Sequence, residues 1–396
     1  MRILFLSRWF PFPADNGSKL RVYNLIKVLS RHHTVTLLSF TDKPEIDREA
    51  PEIRALCAEV CVVPWKEFDP GSLKARTGFF SLSPRSILDT FSVRMAGEIS
   101  RTLQGSKFNL VIASQLPMAA YYRYFHGVPA LFEELELGLA FQDLPQSRGW
   151  KEKLRHGLTQ LKLRFYLGRL LSGFKAVTVV SERERDLASR LFSRVDHIMV
   201  VPNCIDFEDY QKAPAGERCN RLIFTGSFRY EANYEAMRWF VGQVFPRILE
   251  QKPGTELVIT GDHAGLPFPS DENIILTGHV KDIRGMISSS AVSIAPMLSG
   301  GGTRLKILEA MALGTPVVAT SKGAEGLAVR GGEHVLIADD PAAFSACVLR
   351  LLGDEKLRGD LSVRARCLVQ EQYSWGPVLP GFLQLVESLD EQDIAG

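Results

Sequence analysis

Short apolar runs of strand character alternate with helix-period segments along this chain of 396 residues, and few architectures accept that order. "RILFLS" at the N-terminus precedes a helical stretch from Gly17 to Ser30, and "TVTLLSF", "NLVIAS" and "AVTVVS" follow. Strands separated by helices form βαβ units around a parallel sheet rather than hairpins. Val22, Leu25, Ile26 and Leu29 recur at i, i+3, i+4 and i+7, so that face of the first helix is expected to dock on the sheet.

Around Pro202 the texture changes. "VPNCIDFEDYQKAPAGERCN" is polar and turn-rich without a sustained period, which marks a linker. A second alternating series then supplies "RLIFTGS", "ELVITGD", "NIILTG", "VSIAPM" and "PVVAT". The length suits two domains. Ligands of open parallel sheets bind beyond the carboxyl ends of the strands, where the small residues ending these runs leave room.

With 45% hydrophobic residues, 23% charged residues and a formal charge of +2, the composition excludes a disordered chain and a general nucleic-acid binder. The six cysteines are scattered, and the close pair Cys57 and Cys61 has no second pair or histidine at metal-ligand spacing, so free thiols are expected. "MRILFLSRWF" is interrupted by Arg8 and lacks the pattern of a secretory leader. No segment approaches the ~18 apolar residues that span a bilayer. A cytoplasmic protein is expected. The stretch from Arg148 to Lys175 is basic and leucine-bearing, with Glu152 as its sole acid. It reads either as a solvated helix face or as a surface touching anionic lipid headgroups at the inner face of the membrane.

The most informative stretch is "SGGGTRLKILEAMALGTPVVAT", from Ser299 to Thr320. A strand hands over through three glycines to a helix expected from Thr303 to Leu313, with Leu305, Leu308 and Ala312 on one face. Gly314 stops it. A helix N-terminus offers unpaired N–H groups and a positive dipole end to phosphate oxygens. Arg304 and Lys306 are on the unfavourable end for that dipole unless an anion lies in front of the helix. Glu309, one turn on, suits vicinal ribose hydroxyls. These residues together read as a holder for a nucleotide diphosphate.

With "KGAEGL", "VPNCIDFEDY", "LIFTGSFRYEANYEAMRWF", "LVITGD" and "IILTGHVKD" beside that stretch, the chain resembles the retaining glycosyltransferases of family 4, in the branch associated with bacterial surface and extracellular polysaccharide. The resemblance implies an α/β GT-B fold: two Rossmann-like domains whose parallel sheets face across a cleft. It implies an acceptor domain at 1–201, a donor domain at 202–372 and a C-terminal helix, 373–396, crossing back to the first. It also implies sugar transfer from a nucleotide-sugar donor of the UDP or GDP type to a hydroxyl of a glycan or lipid-linked acceptor. Residues from about Asp69 to Ser106 and Glu133 to Lys175 would shape the acceptor site. Glu309 matches the family's ribose-binding glutamate, and Gly302 and Thr303 match the residues whose amides approach the diphosphate. Gly226, Gly301 and Leu305 belong to the same donor set. His279 and Val280 fall at the base-binding loop, and Gly17 matches a glycine of the loop after the first strand.

The departures from the family are specific. Gly301 replaces the first of its paired glutamates, Ser227 stands where an arginine is expected, and Ala232 or Asn233 where a lysine is. Departure of the nucleotide diphosphate puts negative charge on the β-phosphate, so some cation must stabilise it. Arg304 and Lys306 are the expected catalytic cations, with Arg229 a further donor-binding base. No Asp-x-Asp motif is present, and no metal or other cofactor is expected. In "FEELELG", where related enzymes carry a group facing the sugar, Glu133, Glu134 and Glu136 are available and Glu136 is the candidate. The two other readings to weigh are a non-catalytic nucleotide-sugar-binding module and a nucleotide-sugar epimerase. A dehydrogenase is disfavoured, because "SRWFPFPADNG" replaces the G-x-G-x-x-G loop.

Overall fold

The first apolar run forms β1 (Arg2–Ser7), and its neighbours in space are β2 (Thr34–Thr41) and β4 (Leu110–Ser114). The computed structural model describes residues 1–14, 16–138, 140–141, 149–192, 195, 197–212, 219–269, 271–301 and 304–391. With β3 (Glu59–Pro64), β5 (Ala130–Leu135), β6 (Ala176–Val179) and β7 (Ile198–Val200), these strands make a sheet in the order β3-β2-β1-β4-β5-β6-β7. Every pairing in it is parallel. Helix α1 (Gly17–Leu29) is capped by Asn16, whose side chain accepts from Lys19 N at 3.1 Å. A cap of this kind contributes about 1 kcal/mol. Its residues Val22, Leu25, Ile26 and Leu29 are all buried, as their spacing requires. The long helix α2 (Trp150–Leu171) precedes β6.

The second series gives β8 (Cys219–Thr225), β9 (Glu256–Thr260), β10 (Ile274–Gly278), β11 (Ser290–Ala295), β12 (Val317–Ala319) and β13 (Leu336–Ile337). They pair in parallel in the order β10-β9-β8-β11-β12-β13. Leu222 and Phe224 of β8 belong to one core cluster and Ile223 to another, so the strand is buried on both faces and reads as a continuous apolar run. Helices α3 (Glu231–Trp239) and α4 (Leu305–Ala312) follow β8 and the glycine loop after β11.

The chain divides into two compact units, Met1–Pro202 with Leu379–Gly396, and Asn203–Val378. Helix α5 (Trp375–Glu391) begins in the second and ends in the first. In each sheet the strand order reverses beside the first strand, between β1 and β4 and between β8 and β11. In open parallel sheets that reversal opens a crevice beyond the strand ends. Among the described residues no helix is long and apolar enough to cross a membrane.

Candidate functional site

In the unit Asn203–Val378, the loops after β8 and β11 meet at the switch point. Gly226 follows β8 with φ +151. A Cβ there would lie 2.7 Å from Asn233 Nδ2 and 3.0 Å from Lys306 Nζ, so the absent side chain lets an amide and an ammonium converge beneath the strand end. Asn233 of α3 donates from Nδ2 to Ser227 O at 2.8 Å and accepts at Oδ1 from Lys306 at 3.0 Å. Lys306 Nζ also lies 3.8 Å from the centroid of Phe224. Among the described residues Lys306 forms no ion pair. Burial first, and then the Arg304 charge, lower its pKa to about 7. A desolvated ammonium held this way is poised to gain from an anion.

Glu309 lies one turn along α4 from Lys306. Tyr210 donates its hydroxyl to Glu309 Oε1 at 2.7 Å, fixing the carboxylate with only that oxygen engaged among the described residues. Burial raises the pKa of Glu309, opposed by the Tyr210 hydrogen bond and by Lys306. Tyr210, in the short helix Phe207–Gln211, was hidden in the linker motif, where nothing in the sequence pairs it with residue 309.

Arg304 is engaged by the glycine loop itself. The helix begins at Leu305, two residues after the expected start at Thr303, leaving Arg304 at the N-cap. Its guanidinium is buried and donates to Gly301 O at 2.8 Å and Ser299 O at 3.2 Å. Its hydrogen bonds brace the glycine loop, and its charge is felt by Lys306. At the start of that loop Gly300 has φ +87, and a Cβ would lie 2.2 Å from Tyr230 Oη. Gly302 and Thr303 lie outside the described residues. Leu305 packs against the apolar core. Arg229 is 76% exposed and ion-paired with Asp262; the pairing holds the Asp262 carboxyl below its usual range. His279 is exposed and Val280 half-buried after β10, at the same edge of the sheet as Gly226 and Gly301.

The other unit has its own polar centre at the ends of β4 and β5. Side chains along a strand alternate between faces, yet Glu133 and Glu134 are both buried. The reason is local: Glu134 has φ +61 and the register of β5 shifts between Phe132 and Leu135, which turns both carboxyls inward. Glu133 accepts from Arg21 Nε at 2.6 Å and from Ser114 Oγ at 2.6 Å. Arg21 also donates to Val201 O at 2.7 Å. Glu134 accepts from Gln115 Nε2 at 2.8 Å, and Gln115, itself at φ +69, reaches Ser18 Oγ at 3.3 Å. Left-handed backbone at two hydrogen-bonded non-glycine residues is strained, and such residues cluster at functional sites. Burial raises the Glu134 pKa, opposed by the Arg21 charge, which favours the neutral acid. Glu136, the residue singled out from the sequence, is exposed; the enclosed carboxyl is Glu134. Gly17 opens α1 beside Ser18.

Comparison with known proteins follows the same division of the chain. The model of the family described as Glycosyl transferase 4-like domain matches residues 16–204, and that of Glycosyl transferases group 1 matches residues 219–354. An uncharacterised 44.6 kDa protein in the cps region of Klebsiella pneumoniae is 22% identical over 94% of this chain and 96% of its own length. Sucrose-phosphate synthase from Thermosynechococcus elongatus superposes with a TM-score of 0.67 at 16% identity, covering 98% of this chain and 99% of that one. HepE from Anabaena, solved in complex with UDP, gives a TM-score of 0.65 at 14% identity over 99% of this chain and 100% of its own.

Proposed function

We propose that this chain, which belongs to the family 4 glycosyltransferases of GT-B fold, moves a sugar from a nucleoside-diphosphate donor of the UDP or GDP type to a hydroxyl of a glycan or lipid-linked acceptor. Configuration is retained, and the product serves polysaccharide or glycoconjugate assembly on the cytoplasmic side of the membrane. One observation carries the reading: helix α4 presents a half-buried ammonium, Lys306, and an anchored carboxylate, Glu309, beside the loops of a switch point. Glu309 suits the ribose hydroxyls and Lys306 the diphosphate. The neighbour solved with UDP supports a uridine base.

In the reaction the bond from the anomeric carbon to the β-phosphate oxygen breaks while the acceptor oxygen attacks the same face. The acceptor proton passes to the departing phosphate. Lys306 stabilises the charge that develops there, a role that draws on the protein rather than on a metal ion. Glu134, whose burial favours the neutral acid, is the carboxyl we assign to hydrogen bonding with substrate hydroxyls, in place of Glu136.

Calorimetric titration with UDP, GDP, ADP and dTDP tests the donor assignment. One diphosphate is expected to bind selectively, and Glu309→Gln to weaken it by about tenfold or more, the scale of a lost hydrogen bond to a charged group. Absence of binding by all four would overturn the reading, and tight binding without transfer to any acceptor would favour the donor-binding module.

The low pKa of Lys306 adds a pH dependence. A bound diphosphate favours the ammonium, so the Lys306 pKa rises from about 7 on binding. Affinity is therefore expected to be highest when Lys306 is already protonated and to fall as pH rises through about 7 and beyond. In Lys306→Met that alkaline decline should flatten; the same decline in both proteins would assign it to another group.

A further inference from the structure

Helix α2 has apolar residues on two opposite sides. Leu163, Leu167 and Leu170 pack on the core of their unit. On the other side Trp150, Leu154, Leu158, Leu161 and Phe165 are 71%, 58%, 52%, 63% and 56% exposed. At 3.6 residues per turn these five fall within an arc of roughly 80°, centred opposite the packed face. Basic side chains border the stripe on both flanks, Arg155 and Lys162 along one and Lys153 and Arg164 along the other.

A second exposed apolar set adjoins it. Leu73, Phe79, Phe80 and Leu82 are 78%, 52%, 97% and 57% exposed, and Lys162 Nζ donates to Phe79 O, joining the turn to the helix. Between them opens a cavity of about 950 Å³ lined in part by Phe79, Pro84, Arg85, Leu154, Leu158 and Lys162. So large a contiguous apolar surface marks an interaction site.

We infer that this face docks on an anionic phospholipid bilayer, with the stripe of α2 and the turn at Phe79–Leu82 entering the headgroup boundary and the flanking bases meeting lipid phosphates. The charges favour that occupant over a second copy of the chain: α2 carries one acid, Glu152, among its bases, and pairing the face with itself would set like charges together. An apolar band bordered by lysine and arginine is the pattern of an interfacial helix, and anionic lipid supplies the complementary charge. Docking requires neither donor nor acceptor, so it stands or falls apart from the transfer reaction.

The test is cosedimentation of the full chain with vesicles of phosphatidylcholine alone and of phosphatidylcholine with one-third phosphatidylglycerol. Binding is expected to the second and to weaken with added salt. Leu158→Ser with Leu161→Ser should reduce partitioning at least about tenfold, as loss of the inserted side chains requires, and Arg155→Gln with Arg164→Gln should reduce it as well. All four positions are exposed, and an unchanged far-ultraviolet circular dichroism spectrum verifies that the variants fold. Absence of binding to anionic vesicles, or binding that survives both pairs of changes, overturns the inference. A dimer in sedimentation equilibrium that Leu158→Ser dissociates would assign the face to a second copy and overturn it too.

Discussion

Replacing Lys306 with methionine is expected to lower kcat by about 10²–10³, the effect of removing a preorganised group from a developing anion, while the donor Kd rises by less. The other two bases near the loops are committed elsewhere: Arg304 to the carbonyls of Gly301 and Ser299, and Arg229 to Asp262. Lys306 is held by neutral partners, the Asn233 amide and the Phe224 ring, so its charge is open to a ligand. Arg229→Ala is the contrast, because an exposed pair contributes little; its kcat is expected to stay within about threefold of wild type. Single-turnover rates with saturating donor separate the two cases. Equal losses in both variants would mean that the cation is shared and that Lys306 has no special part.

The largest loss of stability is expected from Arg21→Ala. Arg21 and Glu133 are 1% and 0% exposed and 2.6 Å apart, and the guanidinium also holds the backbone beyond β7 through Val201 O. Removing it leaves a buried carboxylate without its counter-charge, which costs about 3–5 kcal/mol. Urea denaturation reads this as a lower midpoint. The double change Arg21→Met with Glu133→Leu removes both charges and should cost less than Arg21→Ala alone. A double variant as unstable as the single one would mean that packing, rather than the buried charge, governs the site.

The sheets and the docking faces of their helices were legible in the sequence because they rest on periodicity, which burial enforces: Val22, Leu25, Ile26 and Leu29 lie inward as spaced. Gly226, Lys306 and Glu309 were legible because strand ends and helix starts are local features. The partners that orient them were not. Asn233 registered only as a departure from a family lysine, yet its amide is what holds Lys306; Tyr210 lies 99 positions from the carboxylate it anchors. Among the three glutamates of "FEELELG" the choice depends on an irregular register that reverses which side chains face inward, and strand alternation cannot supply it. The exposure of the α2 stripe was hidden for the opposite reason. Both of its sides are apolar, so the period is ambiguous about which one meets the core.

Helix α5 has a consequence for the order of events during synthesis. Phe382, Val386 and Leu389 are buried, and Asp390 and Glu387 reach Asn109 and His33 at 3.0 Å and 3.6 Å. The first unit thus takes side chains from residues that are translated after the second unit. Domains emerging from the ribosome fold in turn, N-terminal first, yet this one keeps a vacant apolar seat until Phe382, Val386 and Leu389 clear the exit tunnel. Of the two units the one that comes first in sequence is completed second, and its exposed seat is where a nascent-chain chaperone would have long access.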